Sequence, residues 1–224
     1  MSAHVNEVPG GEPTSSSLPV AAVADALDRL DHRSQTMHSV MRPVVDVGRP
    51  ILGPAFTIQA VATATLSEHP YEQELAAVDA IPAGAVVAFN AGGVTETGIW
   101  GELLSTRALA RGCIGAIVDG GVRDLTGMRR LDFPVFAAAV HPADSYGRAE
   151  VVSFGEPIVC GGVAVRPGDL VAGDEDGVVV IPADVAEECI AAATAKVDKE
   201  REARLMLRDD GASVREMYDR HGVL

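Results

Sequence analysis

The sequence contains few aromatic residues and almost no lysine. Aromatic side chains make up 4% of the 224 residues, whereas hydrophobic residues make up 47%. A core built mainly from Ala, Val, Leu and Ile suits layered α/β packing better than a small aromatic-rich β-barrel. The only lysines are Lys196 and Lys199, and we expect both to be exposed unless a neighbouring subunit covers one. Because a Schiff base needs a desolvated lysine, carbon–carbon bond chemistry here would need a metal ion instead.

Several other signals are absent. No apolar run reaches the roughly 20 residues that a bilayer span requires, and no basic-then-apolar start marks a signal peptide. The cysteines Cys113, Cys160 and Cys189 form neither a C-x-x-C pair nor a zinc pattern, which predicts reduced thiols in a cytoplasmic protein. The histidines do not pair as H-x-x-x-H, and G-x-S-x-G is missing. A net charge of −14 argues against nucleic acid as a partner.

The order of apolar patterns predicts one α/β domain. Residues 1–17 are polar and rich in Gly, Pro and Ser, and they predict a loose or disordered tail before a single domain over 18–224. Between 157 and 182, short β-rich runs broken by Gly-Gly, Pro-Gly-Asp and Asp-Gly predict an antiparallel segment. Helices are expected over 18–30, 71–80, 99–111 and from 182 to about 207, and strands over 55–66, 85–89, 114–118 and 134–139.

Two loops permit more than one interpretation. Asp174-Glu175-Asp176-Gly177 invites a calcium loop, but the positions that would need oxygen ligands, 172 and 183, are both alanine. A turn between two strands is the better interpretation. Asn90-Ala91-Gly92-Gly93 lacks the G-x-G-x-x-G spacing of a dinucleotide site. It fits a loop whose backbone approaches a ligand and a purely structural loop equally well.

The most informative stretch is Gly101-Glu102-Leu103-Leu104, followed after a fixed gap by Asp119-Gly120-Gly121-Val122-Arg123-Asp124. The first part is typical of a helix start, whose free N–H groups bind anions. The second is typical of a strand end, where Arg and Asp offer a fork for a carboxylate and a hard oxygen ligand. Taken singly, an ion pair or a helix N-terminal acid would explain each part. Their joint appearance at neighbouring strand ends predicts a site for a small metal-chelating keto acid.

Three separated motifs carry a family resemblance. G-E-L-L-x-T, then D-G-G-V-R-D, then P-G-D-L-V-x-G-D-x-D-G-V-V-V-I-P resemble the RraA-like family in the same order, over roughly residues 18 to 208. This family includes the class II 4-hydroxy-4-methyl-2-oxoglutarate / 4-carboxy-4-hydroxy-2-oxoadipate aldolases. The resemblance implies a single-domain α/β/β/α sandwich with mixed sheets, an antiparallel C-terminal part and a long C-terminal helix. It also implies a homotrimer or hexamer.

The resemblance also implies roles for individual residues in a metal-dependent lyase. Asp124 would bind Mg²⁺ or Mn²⁺, and Arg123 would bind the keto-acid substrate and stabilise its enolate. The backbone N–H groups of residues 101 to 104, Gly101, Glu102, Leu103 and Leu104, would bind the substrate carboxylate. Position 102, often Asp in the family and Glu102 here, would hold a water on the metal. A glutamate from a neighbour's C-terminal helix, best matched by Glu200 and next by Glu202, would complete the site.

Two other functions remain open at this stage. The family also contains a regulator that binds and inhibits a ribonuclease without catalysis, and the acidic surface of this chain could meet a basic partner. A pure binding protein has no need of Arg123, Asp124 and Glu102, so these residues favour the enzyme. A methyltransferase, a label attached to some relatives, is disfavoured by the missing nucleotide-type glycine spacing. As an enzyme, the chain is expected to release pyruvate from a 4-hydroxy-2-oxo diacid and to decarboxylate oxaloacetate.

Overall fold

The computed structural model describes residues 18–209 and 211–222, so the predicted tail over 1–17 lies outside the described residues. The helices are α1 (Val20–Arg29), α2 (Glu72–Ala80), α3 (Glu102–Ala110), α4 (Leu125–Arg130), α5 (Ala186–Asp209) and α6 (Val214–His221). The strands are β1 (Arg42–Val45), β2 (Ile51–Ala62), β3 (Val86–Asn90), β4 (Gly98–Trp100), β5 (Gly115–Val122), β6 (Val135–Val140), β7 (Ala149–Phe154), β8 (Ile158–Cys160), β9 (Val163–Val165), β10 (Leu170–Asp174) and β11 (Gly177–Ile181).

One mixed sheet organises the molecule. Its strand order is β1-β6-β5-β3-β2-β10-β11, in which β2, β3, β5 and β6 run parallel and β1, β10 and β11 are antiparallel to their neighbours. The two ends of the sheet approach each other, because the Met37 N–H donates to the Val178 carbonyl at 2.9 Å and the Val180 N–H donates to the Gln35 carbonyl at 2.9 Å. The sheet is therefore nearly closed.

Alternation along the strands divides the interior into three large apolar clusters. On β3, Val87 and Phe89 face the cluster that includes α2, α3 and α4, whereas Val86 and Ala88 face a cluster between the two halves of the sheet. On β11, Val179 faces a third cluster, which contains α1 and α5. Because strand side chains alternate between faces, the layers run helix, sheet, sheet, helix. This order confirms the predicted α/β/β/α sandwich, with its antiparallel C-terminal part and its long C-terminal helix α5.

The one tryptophan anchors the junction that carries the site. Trp100 is fully buried at the end of β4, where its ring meets Phe89 edge-on with centroids 6.3 Å apart. Its indole N–H donates to the Ser105 hydroxyl at 2.8 Å, so its polar atom is satisfied inside the core. The ring thus ties β4 to the first turn of α3 and fixes where that helix begins.

Two predicted boundaries at this junction are wrong. The predicted helix over 99–111 begins only at Glu102, because Gly98–Trp100 pairs with β5 as strand β4. The strand predicted over 114–118 continues to Val122, so residues 119 to 122 are not an exit loop. Gly121 allows this extension, since a Cβ there would collide with the Thr97 backbone oxygen of the loop that packs against β5. Tertiary packing, which local pattern does not report, decides both boundaries.

The expectation that both lysines are exposed is also wrong. Lys196 is 5% exposed, and its ammonium contacts Asp25 of α1 at 2.9 Å and Glu200 of α5 at 2.8 Å. These hydrogen bonds raise the pKa of Lys196, outweighing partial burial. A Schiff-base lysine needs a lowered pKa, so the correction leaves the argument against such chemistry intact.

Among the described residues, no helix is both long and apolar enough to cross a membrane.

Candidate active site

The predicted motif residues meet at a cleft beside the start of α3. The cleft has a volume of ≈ 240 Å³. It is lined by Tyr71, Glu74, Leu75, Ile99, Gly101, Leu103, Leu104, Arg123, Asp124, Asp144 and Ser145. These residues come from α2, from the β4–α3 junction, from the end of β5 and from the segment after β6. Neighbouring parallel strands β5 and β6 end at one edge of the sheet, which is where sites form in α/β sheets.

Gly101 brings the helix start and the carboxylate together. It is the N-cap residue of α3, and no side chain caps that helix. The first N–H groups of a helix have no intrahelical partner and favour an anion. A Cβ at position 101 would stand 2.7 Å from Oδ2 of Asp124. Glycine is therefore what permits the Asp124 carboxylate to lie directly against the N-terminus of α3.

Asp124 occupies a strained backbone position at the start of α4. Its φ of 62° and ψ of 34° place it in the left-handed region, which Asp tolerates better than most non-glycine residues but which still costs free energy. Its side chain is 47% exposed. This backbone conformation places the carboxylate at the edge of the cleft, where solvent and ligands can reach it.

Arg123 lies between two carboxylates. Its Nη2 is 3.5 Å from Oδ1 of Asp144, and its Nε is 4.0 Å from Oδ2 of Asp124. Because its side chain is 36% exposed, these ion pairs add little to folding stability. Among the described residues its guanidinium donates no hydrogen bond to either carboxylate, so its N–H groups are available to a bound anion.

The other predicted residues are placed differently. Glu102 begins α3, but its carboxylate lies over Gly127 of α4, where a Cβ would collide with it, and it is not among the residues that line the cleft. Leu103 is 82% exposed at the rim of the cleft. Glu200 lies on α5 in the opposite helical layer, paired with Lys196. Within one chain, the structure brings together Gly101, Arg123 and Asp124, but not Glu200.

Three titratable residues of the cleft do not follow from the sequence motifs. The Tyr71 hydroxyl donates to Oδ2 of Asp144 at 2.9 Å, and Glu74 is 8% exposed on the inner side of α2. Asp144 follows β6, so the rule that sites lie at the ends of parallel strands could have identified it. Tyr71 and Glu74 reach the cleft from a helix that precedes β3, and no local pattern connects them to Arg123.

Burial and charge shift the pKa values of all three groups. Burial, and then the charge of Asp144, raises the pKa of Glu74 to about 7, although Arg123 opposes the shift. Burial and the hydrogen bond to Asp144 raise the pKa of Tyr71 to about 12, so its hydroxyl stays a donor. Partial burial raises the pKa of Asp144, but the Tyr71 hydrogen bond, the Arg123 charge and backbone N–H groups outweigh it and lower the pKa overall.

The oxygen donors of the cleft fit one kind of metal site. Over residues 18–209 and 211–222, no group of three or more His, Cys, Asp or Glu side chains could hold a metal ion. A closed protein cage of the zinc or calcium type is therefore not formed there. Mg²⁺ commonly uses one or two carboxylates and takes its other ligands from water and substrate. Asp124, an exposed carboxylate beside the uncapped start of α3, fits that donor set.

Comparisons with known proteins agree with this fold and motif order. The family model described as RraA-like (Aldolase/RraA) matches residues 20–180. A protein of Halalkalibacterium halodurans named "Putative 4-hydroxy-4-methyl-2-oxoglutarate aldolase" is 30% identical over 199 residues, which is 89% of each chain. Protein DlpA of Legionella pneumophila is 29% identical over 76% of this chain, which spans only 27% of DlpA.

A solved structure extends the comparison to three dimensions. Streptomyces coelicolor RraAS2, described as an unusual member of the RNase ES inhibitor RraA protein family, superposes with a TM-score of 0.75 at 28% identity. The match covers 83% of this chain and 91% of RraAS2. Together with the family match over most of the sequence, it shows that the chain belongs to the RraA-like family.

Proposed function

We propose that this protein is a divalent-metal-dependent aldolase that cleaves 4-hydroxy-4-methyl-2-oxoglutarate, or a related 4-hydroxy-2-oxo diacid, to pyruvate. The observation that carries the proposal is the meeting of Arg123, Asp124 and the uncapped start of α3 in one cleft. The aldolase name of the H. halodurans relative supports the same reaction class. Oxaloacetate decarboxylation at the same site is part of the proposal, because it passes through the same pyruvate enolate.

Three groups of the chain would bind the substrate. The N–H groups at residues 102 to 104 would hold a substrate carboxylate at the positive end of α3. Asp124 would hold Mg²⁺ or Mn²⁺ beside them, and the ion, when bound, supplies Lewis-acid polarisation of the 2-keto group. Arg123 would also contact the keto oxygen. The exposed apolar rim at Leu103 would face the carbon skeleton.

Arg123 is the group that would lower the barrier to C3–C4 cleavage. Breaking that bond leaves the electron pair on the pyruvate fragment, and the negative charge develops on the C2 oxygen. A guanidinium already oriented by Asp144 and Asp124 stabilises that charge without reorganising during the reaction. Release of the other fragment as a carbonyl compound requires loss of the C4 hydroxyl proton.

Glu102 and Glu200 would each have to leave their present contacts before they could act in the reaction. Glu102 would have to swing away from Gly127 to direct a water toward the C4 hydroxyl. Glu200 would act only across the interface of a homotrimer or hexamer, and only if its bond to Lys196 opens. The chain's own site therefore rests on Arg123 and Asp124 rather than on these two acids.

Pyruvate release tests the proposal. With 4-hydroxy-4-methyl-2-oxoglutarate and with oxaloacetate, we expect Mg²⁺-dependent pyruvate formation that EDTA abolishes, after subtraction of metal-catalysed oxaloacetate decay. Asp124→Ala should abolish both activities, whereas Asp184→Ala, at an exposed acid in the turn before α5, should retain both. Full activity in Asp124→Ala, or in wild type with EDTA, would contradict the proposal.

A second candidate is a regulator that binds a ribonuclease. The similarity to RraAS2 favours it, and a net charge of −14 suits a basic partner. Binding of a ribonuclease at low salt, together with no metal-dependent pyruvate from either substrate, would favour this candidate over the aldolase.

A further inference from the structure

Glu74 is a buried acid that the proposed mechanism leaves without a role. It is 8% exposed and shares the inner face of α2 with Ala77 and Val78, whereas Glu72 of the same helix is exposed. In the part of the chain that the structure describes, no hydrogen bond or ion pair to its carboxyl group is formed. Its carboxyl oxygens keep a small contact with solvent, but an acid this enclosed loses much of its hydration, which disfavours the ionised form. Packing alone does not account for an acid at this position.

Glu74 borders two clefts. One is the cleft that contains Arg123 and Asp124. The other has a volume of ≈ 260 Å³, shares Tyr71 and Glu74 with the first, and is lined by polar groups that include Thr63, Ser67 and His69. Glu74 thus belongs to the lining of both the substrate cleft and a polar cleft. A proton taken from one side can be replaced from the other.

The charges around Glu74 favour a proton-carrying carboxyl group. Desolvation and the charge of Asp144 raise the pKa of Glu74 to about 7, and the charge of Arg123 opposes this shift by favouring the ionised form. Both protonation states are therefore populated near neutral pH, which suits a group that gives and takes protons. The titratable and charged groups that line the two clefts beside it are Tyr71, Arg123, Asp124 and Asp144 on one side and His69, Glu72, Tyr146 and Glu150 on the other.

We propose that Glu74 is a catalytic residue of this site, the acid that delivers the proton to C3 of the pyruvate enolate. The inference rests on the proposed function. In the step, the Glu74 O–H bond breaks and the enolate electron pair forms the new C3–H bond, while the C2 carbonyl is restored. The carboxylate left on Glu74 is then reprotonated by water through the polar cleft. The same step ends aldol cleavage and oxaloacetate decarboxylation, and its reverse removes a methyl proton from bound pyruvate.

The reverse step provides a direct test. With Mg²⁺ and pyruvate in D₂O, wild type should exchange the pyruvate methyl protons for deuterium, as followed by ¹H NMR. Glu74→Gln keeps the shape and removes the transferable proton, so we expect exchange to slow by about 10²-fold or more, within the usual contribution of general acid–base catalysis. Glu156→Gln, at an exposed glutamate that lines neither cleft, is the control and should exchange at the wild-type rate.

Binding of oxalate, a planar analogue of the enolate, separates chemistry from folding and binding. By calorimetry with Mg²⁺, Glu74→Gln should bind oxalate with wild-type affinity. Exchange at the wild-type rate in Glu74→Gln, or a loss of oxalate binding that accounts for the slower exchange, would overturn the role of Glu74 while wild-type pyruvate release leaves the proposed function standing. Absence of both release and exchange in wild type would remove the proposed function and this inference together.

Discussion

The guanidinium of Arg123 has a geometric role that a simple positive charge cannot fill. It spans the distance between Asp144 and Asp124 and still presents N–H groups to the cleft. A planar fork can be fixed by carboxylates on two edges while it donates from another, whereas an ammonium has one centre. We expect the planar arrangement of its donors, as distinct from its charge, to matter at a developing oxyanion.

Arg123→Lys tests that distinction. We expect kcat for pyruvate release to fall by about 10²-fold, the scale for losing one oriented donor to a developing oxyanion, although the positive charge is kept. Arg49→Lys, which alters an exposed pair with Asp132 at 3.0 Å, should leave kcat unchanged. Wild-type kcat in Arg123→Lys would show that charge alone suffices.

At the residue scale, the sequence reveals only the part of the cleft that is local in the chain. Gly101, Arg123 and Asp124 mark a helix start and a strand end, so their types and spacing carry a signal. Tyr71 and Glu74 reach the same cleft from α2, and only the fold brings them beside Asp144.

At the scale of elements, a buried lysine connects α5 to α1 through ion pairs. Lys196 contacts Asp25 on α1 and Glu200 on its own helix. Apolar contacts of α1 and α5 with β11 surround this group. The arrangement means that any use of Glu200 by a neighbouring subunit must compete with the hydrogen bond from Lys196.

The Lys196→Met substitution measures how much these ion pairs contribute to the free energy of unfolding. The change keeps the buried aliphatic chain and leaves Asp25 and Glu200 without the ammonium. Since the side chains of these two acids are 50% and 30% exposed, water can partly solvate them, and we expect a loss of about 1–2 kcal/mol in urea unfolding, less than for a fully buried pair. Lys199→Met on the same helix is the control. A loss no larger than in that control would mean that apolar packing alone holds α5.

Elements with a clear apolar period are well predicted from sequence, and those set by pairing are not. α1 and β6 lie where the pattern places them. The helix predicted over 99–111 includes Ile99 and Trp100, yet pairing of this segment with β5 makes it strand, since two apolar residues carry no period of their own. The same limit explains why β1 and β7 have no counterpart in the sequence analysis. The sequence analysis also lacks α6, although the capping box of Ser213 and Glu216 marks where that helix begins.

At the scale of the whole molecule, the four layers separate stability from the site. The two apolar clusters that contain the faces of β11 lie away from the cleft, and the cleft borders only the outer cluster with α2, α3 and α4. An uncapped helix, a left-handed Asp124 and a buried Glu74 are concentrated at this one edge. Because these unfavourable features lie at the edge of the apolar core, the other apolar clusters can offset their cost in stability.

The buried carboxyl of Glu74 makes the free energy of unfolding depend on pH in a definite direction. Its pKa of about 7 in the folded protein lies above the value of 4.5 expected when unfolded. The folded state therefore binds the Glu74 proton more tightly than the unfolded state does. This contribution to the free energy of unfolding is fully present below pH 4.5 and is lost as the pH rises to about 7. The difference corresponds to about 3 kcal/mol.

Glu74→Gln removes this titration and should remove its cost. Near pH 4, where Glu74 is protonated in both states, any offset between variant and wild type reflects only the exchange of a hydroxyl for an amide. Between pH 4 and pH 8, the variant should gain up to about 3 kcal/mol relative to wild type in urea unfolding, while Glu72→Gln should show no comparable change. A difference that stays constant across this range would mean that the acid is not held neutral by its surroundings. A gain in stability joined to a loss of methyl-proton exchange would show that the fold tolerates this acid for its chemistry.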